Sequence, residues 1–261
     1  MKVNVGTLDT VYAEVELKPA SPWKLGAAPS ITADIDEVGF SPGVANLVTG
    51  TERGRRSTRR RLITLRRYLW SLGGQAPFVV LEDADEDQTV EAAVEARFAN
   101  CGQVSICNEM VLVHESIADE FTEKLLERVK SVKLGDTFDE SVTMGPIANG
   151  RDLEKIDAIV QETVRQGATP AASGKRPTGE GFEKGYWYEP TVLTNVTHQM
   201  AAAREEIFGP VLPIVRFGSF EEAVSIINAS ELGLSAYLYT NDYRKLMQAI
   251  QVMEVGTVFL N

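Results

Sequence analysis

The chain has 261 residues, is 44% hydrophobic and 24% charged, and carries a formal net charge of -11. That composition supplies a substantial core with room for two domains and excludes a disordered tail, while the acidic balance argues against nonspecific association with nucleic acid or anionic lipid. Met1 to Asp9 has no sustained apolar run and carries an early acid, so neither a signal peptide nor a membrane span is expected and the cytoplasm is the default location. The two cysteines, Cys101 and Cys107, are too close together for a disulfide framework, and only His114 and His198 are available to join them around a metal, so no metal site is expected.

In chain order, the first distinctive segment is Arg53 to Arg67, with eight arginines. A basic nucleic-acid patch is one reading. A solvated helix face is the plainer one, because Leu62, Leu65 and Leu69 recur at intervals of three and four. A third is a local frameshift: with Trp70 encoded TGG and Ser71 encoded AG-pyrimidine, reading one base out of frame gives GAG, a glutamate codon. From Phe78 onward the pattern alternates strands and amphipathic helices, as in an α/β protein. Phe78 to Leu81 is an apolar run of strand length, and the acids after it open a helix over Thr89 to Phe98. Met110 to His114 reads as a strand, after which Ser116 caps a helix through Val132 that lays Ile117, Phe121, Leu125 and Val129 along one stripe.

Asp152 to Gln166 reads as a helix with Leu153, Ile156, Val160 and Val164 inward and Gly167 at its end. The glycine-rich stretch Ser173 to Gly181 lacks the ordered spacing of a phosphate loop and reads as a surface turn. Tyr186 to Tyr188 and Thr191 to Leu193 are short extended pieces. Val211 to Phe217 is a strand, Ser219-Phe220-Glu221-Glu222 a capping box opening a helix to Asn228, and Ala236 to Thr240, Tyr243 to Met253 and Thr257 to Leu260 continue as strand, helix and strand.

Four sets of residues point to one chemistry. They are the loop Asn100-Cys101-Gly102-Gln103-Val104-Ser105-Ile106-Cys107-Asn108, the run Leu72-Gly73-Gly74-Gln75-Ala76-Pro77, the motif Glu205-Glu206-Ile207-Phe208-Gly209-Pro210-Val211, and Lys18-Pro19 with Pro42 to Gly50. On these the sequence resembles the aldehyde dehydrogenase superfamily, densely from Leu72 to Asn261 and in patches from Lys18 to Gly54. The resemblance implies an α/β fold: an aldehyde dehydrogenase-like catalytic domain over 72–261, preceded by an incomplete Rossmann-type cofactor domain over 1–71. It also implies NAD(P)-dependent oxidation of a small aldehyde to a carboxylic acid, with NAD or NADP as cofactor. Lys18 would face the adenosine, Glu206 the nicotinamide ribose and Phe208 the nicotinamide. A homo-oligomer is a further option it leaves open.

Two positions depart from the family. Ser105 falls where the nucleophilic cysteine belongs, and Ser71 where the catalytic base, a glutamate, belongs. A thiol with a pKa of about 8.5 ionises near neutral pH, whereas an isolated alcohol does not and needs a base beside it. The phosphate-side glycine motif survives only as Gly50-Thr51-Glu52-Arg53-Gly54, no oxyanion asparagine precedes Lys18 convincingly, and the chain ends at Asn261, before the family's carboxy-terminal segment. Activity is therefore expected to be impaired or lost, and dinucleotide binding weak or absent. The alternatives are a catalytically silent binding or assembly module and a weak serine esterase acting through Ser105. A substituting Cys107 is disfavoured by its two-residue displacement, which near-attack geometry does not tolerate, and it reads as a buried structural thiol.

Overall fold

A computed structural model of the chain describes residues 74–261 together with the strands β1, Lys2–Val5, and β2, Val11–Glu14. Lys18, Ser71, Leu72-Gly73, the arginine-rich segment and the motifs from Pro42 to Gly54 lie outside the described residues. The chain divides into two compact units, Met1–Leu69 and Trp70–Asn261. In the first, β1 and β2 pair antiparallel, with Lys2 opposite Glu14 and Val5 opposite Val11.

The second unit is built on β3, Phe78–Val80. Its three residues are all buried, as a strand covered on both faces must be. Helix α1 follows at Glu86–Phe98, where Asp85 caps the amino end by accepting from Gln88 N–H and Glu86 and Asp87 fill the first turn. It therefore starts three residues before the expected Thr89, because the cap lies in the acidic run itself. A 3-10 turn, Ala99–Gly102, ends it and leads through Ser105 to β4, Val111–His114.

Helix α2 is Ala118–Val129 and buries Ala118, Phe121, Leu125 and Val129. Ser116 does not cap it, contrary to the sequence expectation: its hydroxyl pairs with His114 Nδ1 at 2.8 Å, a partner closer than the helix amides. The helix also stops short of Val132, as Lys130, Ser131 and Val132 turn with three-residue spacing.

Helix α3, Gly150–Arg165, is capped by Asn149, whose side chain accepts from Asp152 N–H, and it turns inward Leu153, Ile156 and Val160 as anticipated. Gly167 adopts φ +114° just past its end, a conformation open to glycine. Strand β5, Thr169–Ala172, is exposed and carries no apolar alternation, which left it invisible in the sequence. Beyond it lie β6, Thr191–Val196, the short helix α4, Ala201–Arg204, and β7, Val211–Phe217. Tyr186 to Tyr188 stays outside the sheet, although Tyr186 O accepts from Ile147 N–H at 2.8 Å.

Helix α5, Phe220–Asn228, is capped by Ser219 as expected, but in place of the reciprocal bond of the capping box the Glu222 carboxylate accepts from Gly218 N–H at 2.8 Å. Strand β8, Ser235–Tyr239, helix α6, Tyr243–Val252, and β9, Thr257–Leu260, complete the chain.

The sheet has seven strands in the order β5-β6-β7-β4-β3-β8-β9, parallel throughout except for β5 against β6. This is the α/β class that the alternation implied. The core runs under β3, β4, β6 and β7, with Phe121 and Leu125 of α2 and Ile156 and Val160 of α3 fully enclosed. Among the described residues no helix is long and apolar enough to cross a membrane.

Replacing Phe121, buried to 0% exposure, with alanine removes a ring from this core and leaves a cavity. The expected loss is about 3–5 kcal/mol, read as a lowered denaturant midpoint with an unchanged slope.

Candidate active site

The candidate residues sit on the loops that enter the amino ends of the central strands. Gly74 and Gln75 precede β3, Ser105 to Glu109 precede β4, and Glu206 to Gly209 precede β7. Short backbone bonds fasten these loops to one another: Glu109 N–H donates to Gln75 O at 3.0 Å and Phe78 N–H to Met110 O at 2.9 Å.

Ser105 lies on an exposed turn beside Ile106, which is 43% exposed. Cys107 N–H donates to Val104 O at 3.1 Å, and Tyr237 Oη donates to Ile106 O at 2.7 Å. Gln103 anchors the near side, accepting from Ala148 N–H at 2.9 Å. Among the described residues the Ser105 hydroxyl has no hydrogen-bond partner, and no imidazole, carboxylate or ammonium group is paired with it.

Glu206 is half-buried, and one of its carboxylate oxygens accepts from Gly74 N–H at 3.1 Å. A methyl group built onto Gly74 would meet Ser105 O at 3.2 Å and Leu234 Cβ at 3.0 Å. The structure thus places the Ser105 backbone carbonyl and the Glu206 carboxylate beside the same glycine. Phe208 is half-buried with φ +54°, in the left-handed region that a bulky residue rarely enters, at a cost of about 1–3 kcal/mol. The second Glu206 oxygen is unclaimed among the described residues. A carboxylate with a spare oxygen next to a partly open aromatic ring can accept hydrogens from a diol, so these residues fit the ribose end of a nucleotide.

Beneath these loops lies a charge pair that the sequence reading passed over. Arg97, fully buried on α1, meets Glu109 at 3.0 Å, with the carboxylate 3% exposed. Glu109 also accepts from Ile207 N–H at 2.6 Å and Phe208 N–H at 3.0 Å. Arg97 reaches Asn108 O at 3.1 Å and Cys107 Sγ at 3.3 Å, and it hydrogen-bonds Gly209 O. Burial works against the Arg97 cation, but the facing Glu109 carboxylate holds it above its ordinary pKa. Removing one partner of such a pair typically costs about 3–5 kcal/mol, because the other charge is left alone in the core. The available signal was positional: Arg97 interrupts a buried stripe of Val90, Ala93, Val94 and Phe98 on α1.

The remaining candidates resolve simply. Cys107 is buried and donates to Gly102 O at 3.2 Å, and Cys101 is buried. Burial pushes both thiols up, Cys101 to about 12 against the pull of Arg97. His114 stands at the opposite, carboxyl end of β4, packed edge-on against Phe217, and His198 is exposed. No group of three or more potential metal ligands exists among the described residues.

A model of the aldehyde dehydrogenase family matches residues 45–261. The chain is 42% identical over 222 residues to 3,6-anhydro-alpha-L-galactose dehydrogenase of Streptomyces coelicolor, a match covering 84% of this chain and 45% of that protein. The protein of the same name from Vibrio sp. strain EJY3 is 36% identical over 249 residues, covering 87% and 52%. Succinate-semialdehyde dehydrogenase [NADP(+)] 2 of Schizosaccharomyces pombe is 34% identical over 249 residues, covering 86% and 50%.

Among solved structures, 3,6-anhydro-L-galactose dehydrogenase in complex with NAP is similar with a TM-score of 0.77 at 40% identity, covering 81% of this chain and 44% of that one. Betaine aldehyde dehydrogenase of Staphylococcus aureus in complex with NAD+ gives 0.75 at 33% identity, covering 81% and 42%. The chain spans about half the length of the curated relatives it matches.

Three outcomes follow from this geometry. A thiol reagent at pH 8 should label neither Cys101 nor Cys107 in the folded chain and both after denaturation, as counted by mass spectrometry. Because the folded state keeps thiol protons that the unfolded chain releases above about 8.5, stability should fall as pH rises past that value. Gly102→Ala should be severely destabilised, since Gly102 has φ +71° and the added methyl would strike the Gly209 carbonyl; a melting temperature close to wild type would contradict that packing.

Proposed function

The chain belongs to the aldehyde dehydrogenase family, and from that premise we propose that it is the catalytic portion of an NAD(P)-dependent enzyme converting an aldehyde to a carboxylic acid, impaired here by a hydroxyl at the nucleophile position. What supports the reading is that the Ser105 turn and the Glu206 carboxylate both lie against Gly74. Ser105 takes the nucleophile position, Ser71 that of the base, and Glu206, Phe208 and Lys18 those that hold the dinucleotide. When bound, the nicotinamide supplies a hydride acceptor.

In this reading the Glu206 carboxylate, fixed on one side by Gly74 N–H, accepts from the nicotinamide ribose with its other oxygen, and the Phe208 ring covers the adjoining flat face. The aldehyde carbonyl approaches the exposed turn at Ser105. There the alcohol holds its proton, and no side chain among the described residues is hydrogen-bonded to it to remove that proton. A neutral alcohol adds to a carbonyl far more slowly than a thiolate, and the serine at position 71 offers no carboxylate to help. Aldehydes related to anhydrogalactose and succinate semialdehyde, the compounds in the relatives' names, are the substrates of choice for testing.

Wild-type protein mixed with either nucleotide and these aldehydes should give negligible growth of NAD(P)H absorbance. Ser105→Cys should introduce measurable turnover, and adding Ser71→Glu should raise kcat by a further factor of about 10²–10⁴, the range of a general base. Turnover by the wild-type chain of about 1–10³ s⁻¹, as in ordinary enzymes, would contradict impairment. Ester cleavage abolished by Ser105→Ala would identify a serine esterase instead, and silence of every variant a binding module.

A further inference from the structure

We propose that Glu109 is a positioning residue for the turn that carries Glu206 and Phe208, holding it in the shape that presents the carboxylate and ring to a nicotinamide ribose. The nucleotide part of this statement rests on the reading of the previous subsection.

A single carboxylate grips two successive backbone amides, Ile207 N–H at 2.6 Å and Phe208 N–H at 3.0 Å. A backbone that changes hand between neighbouring residues turns consecutive N–H groups toward one anion, and Phe208 supplies that change with φ +54°. With the carboxylate in place the left-handed conformation is held. Without it, two buried donors lose their acceptor and the turn is free to relax into ordinary angles.

The grip is fixed at its root as well as at its tip. Glu109 N–H donates to Gln75 O at 3.0 Å, and the next residue back, Gly74, donates to Glu206 at 3.1 Å. Gln75 Nε2 reaches Ala203 O at 3.0 Å, and its Oε1 accepts from Ser230 Oγ at 2.7 Å. The hydrogen bonds therefore close a ring, from Gly74 and Gln75 through Glu109 to Ile207 and back through Glu206. Arg97 neutralises the carboxylate and, through Asn108 O and Gly209 O, ties the Ser105 loop and the far end of the turn to the same point. Glu109 itself is 2% exposed and reaches neither Ser105 nor open solvent, so it acts through Glu206 and not on a substrate.

The test compares wild-type full-length chain with Glu109→Gln and Glu109→Asp. Glutamine keeps one acceptor oxygen but replaces the other with a donor facing an amide. Asp is one methylene short. Hydrogen exchange at Ile207 and Phe208 should accelerate at least ~10-fold in both variants, while the amides of β7 and α3 keep their protection. NAD+ affinity measured by calorimetry should weaken by a similar factor, with the affinity for AMP, which lacks the nicotinamide ribose, unchanged.

Should Glu109→Gln fail to fold, Arg97→Met with Glu109→Gln removes the unpaired buried charge and still withdraws one amide acceptor, so accelerated exchange at 207 and 208 is again expected. Unaltered exchange at these two amides, or equal losses of AMP and NAD+ affinity, would overturn the proposal. A wild-type chain that binds neither nucleotide counts against the proposed function, and the exchange comparison then decides the role of Glu109 by itself.

Discussion

A buried ion pair between Arg97 and Glu109 underlies the rest of the site. Neither charge reaches water, so each must find its full set of partners inside the protein, and those partners are the loops of the active region: Cys107 and Asn108 on one side, Ile207, Phe208 and Gly209 on the other. Desolvating two ions is unfavourable unless geometry and additional hydrogen bonds offset it. Here the demand for offsetting bonds is what draws two loops, far apart in sequence, to one place. Apolar packing builds the sheet and sets its helices against it, but it has no means of specifying how irregular backbone should lie, and directional polar contacts do that work.

The regular elements were largely legible because burial repeats with a fixed period. The stripes on α2 and α3, the all-apolar β3 and the Val111–Val113 run of β4 leave few alternatives, and the Ser219 cap is a local hydrogen bond written in local sequence. What escaped was decided by competition or by distance. Ser116 lost its capping role to an imidazole two residues away. Strand β5 has no apolar face of its own and is defined by pairing with β6. Motif resemblance located Ser105, Glu206 and Phe208, yet no periodicity announces that Arg97 and Glu109 meet, since their partners lie up to 112 residues away.

The position of the site also runs against the usual rule for open parallel sheets, in which ligands gather outside the carboxyl ends of the strands. Here the loops of interest enter the amino ends of β3, β4 and β7, and the carboxyl end of β4 carries His114. An expectation based on sheet topology alone points to the edge opposite these loops. The loops at the amino ends are short and tied by Gln75 and Glu109, which gives them the rigidity that a fixed nucleophile position requires.

Gly102 and Gly209 touch so closely that neither admits a side chain: the first is blocked by the carbonyl of the second, and the second by Ile156 of α3. The loops that carry Ser105 and Glu206 and the interior of the domain are thus one continuous solid. A lineage that abandoned turnover would feel no relief at these glycines, since the pressure to retain them comes from folding. The shape of these loops is in this way guarded by packing, whatever chemistry they serve.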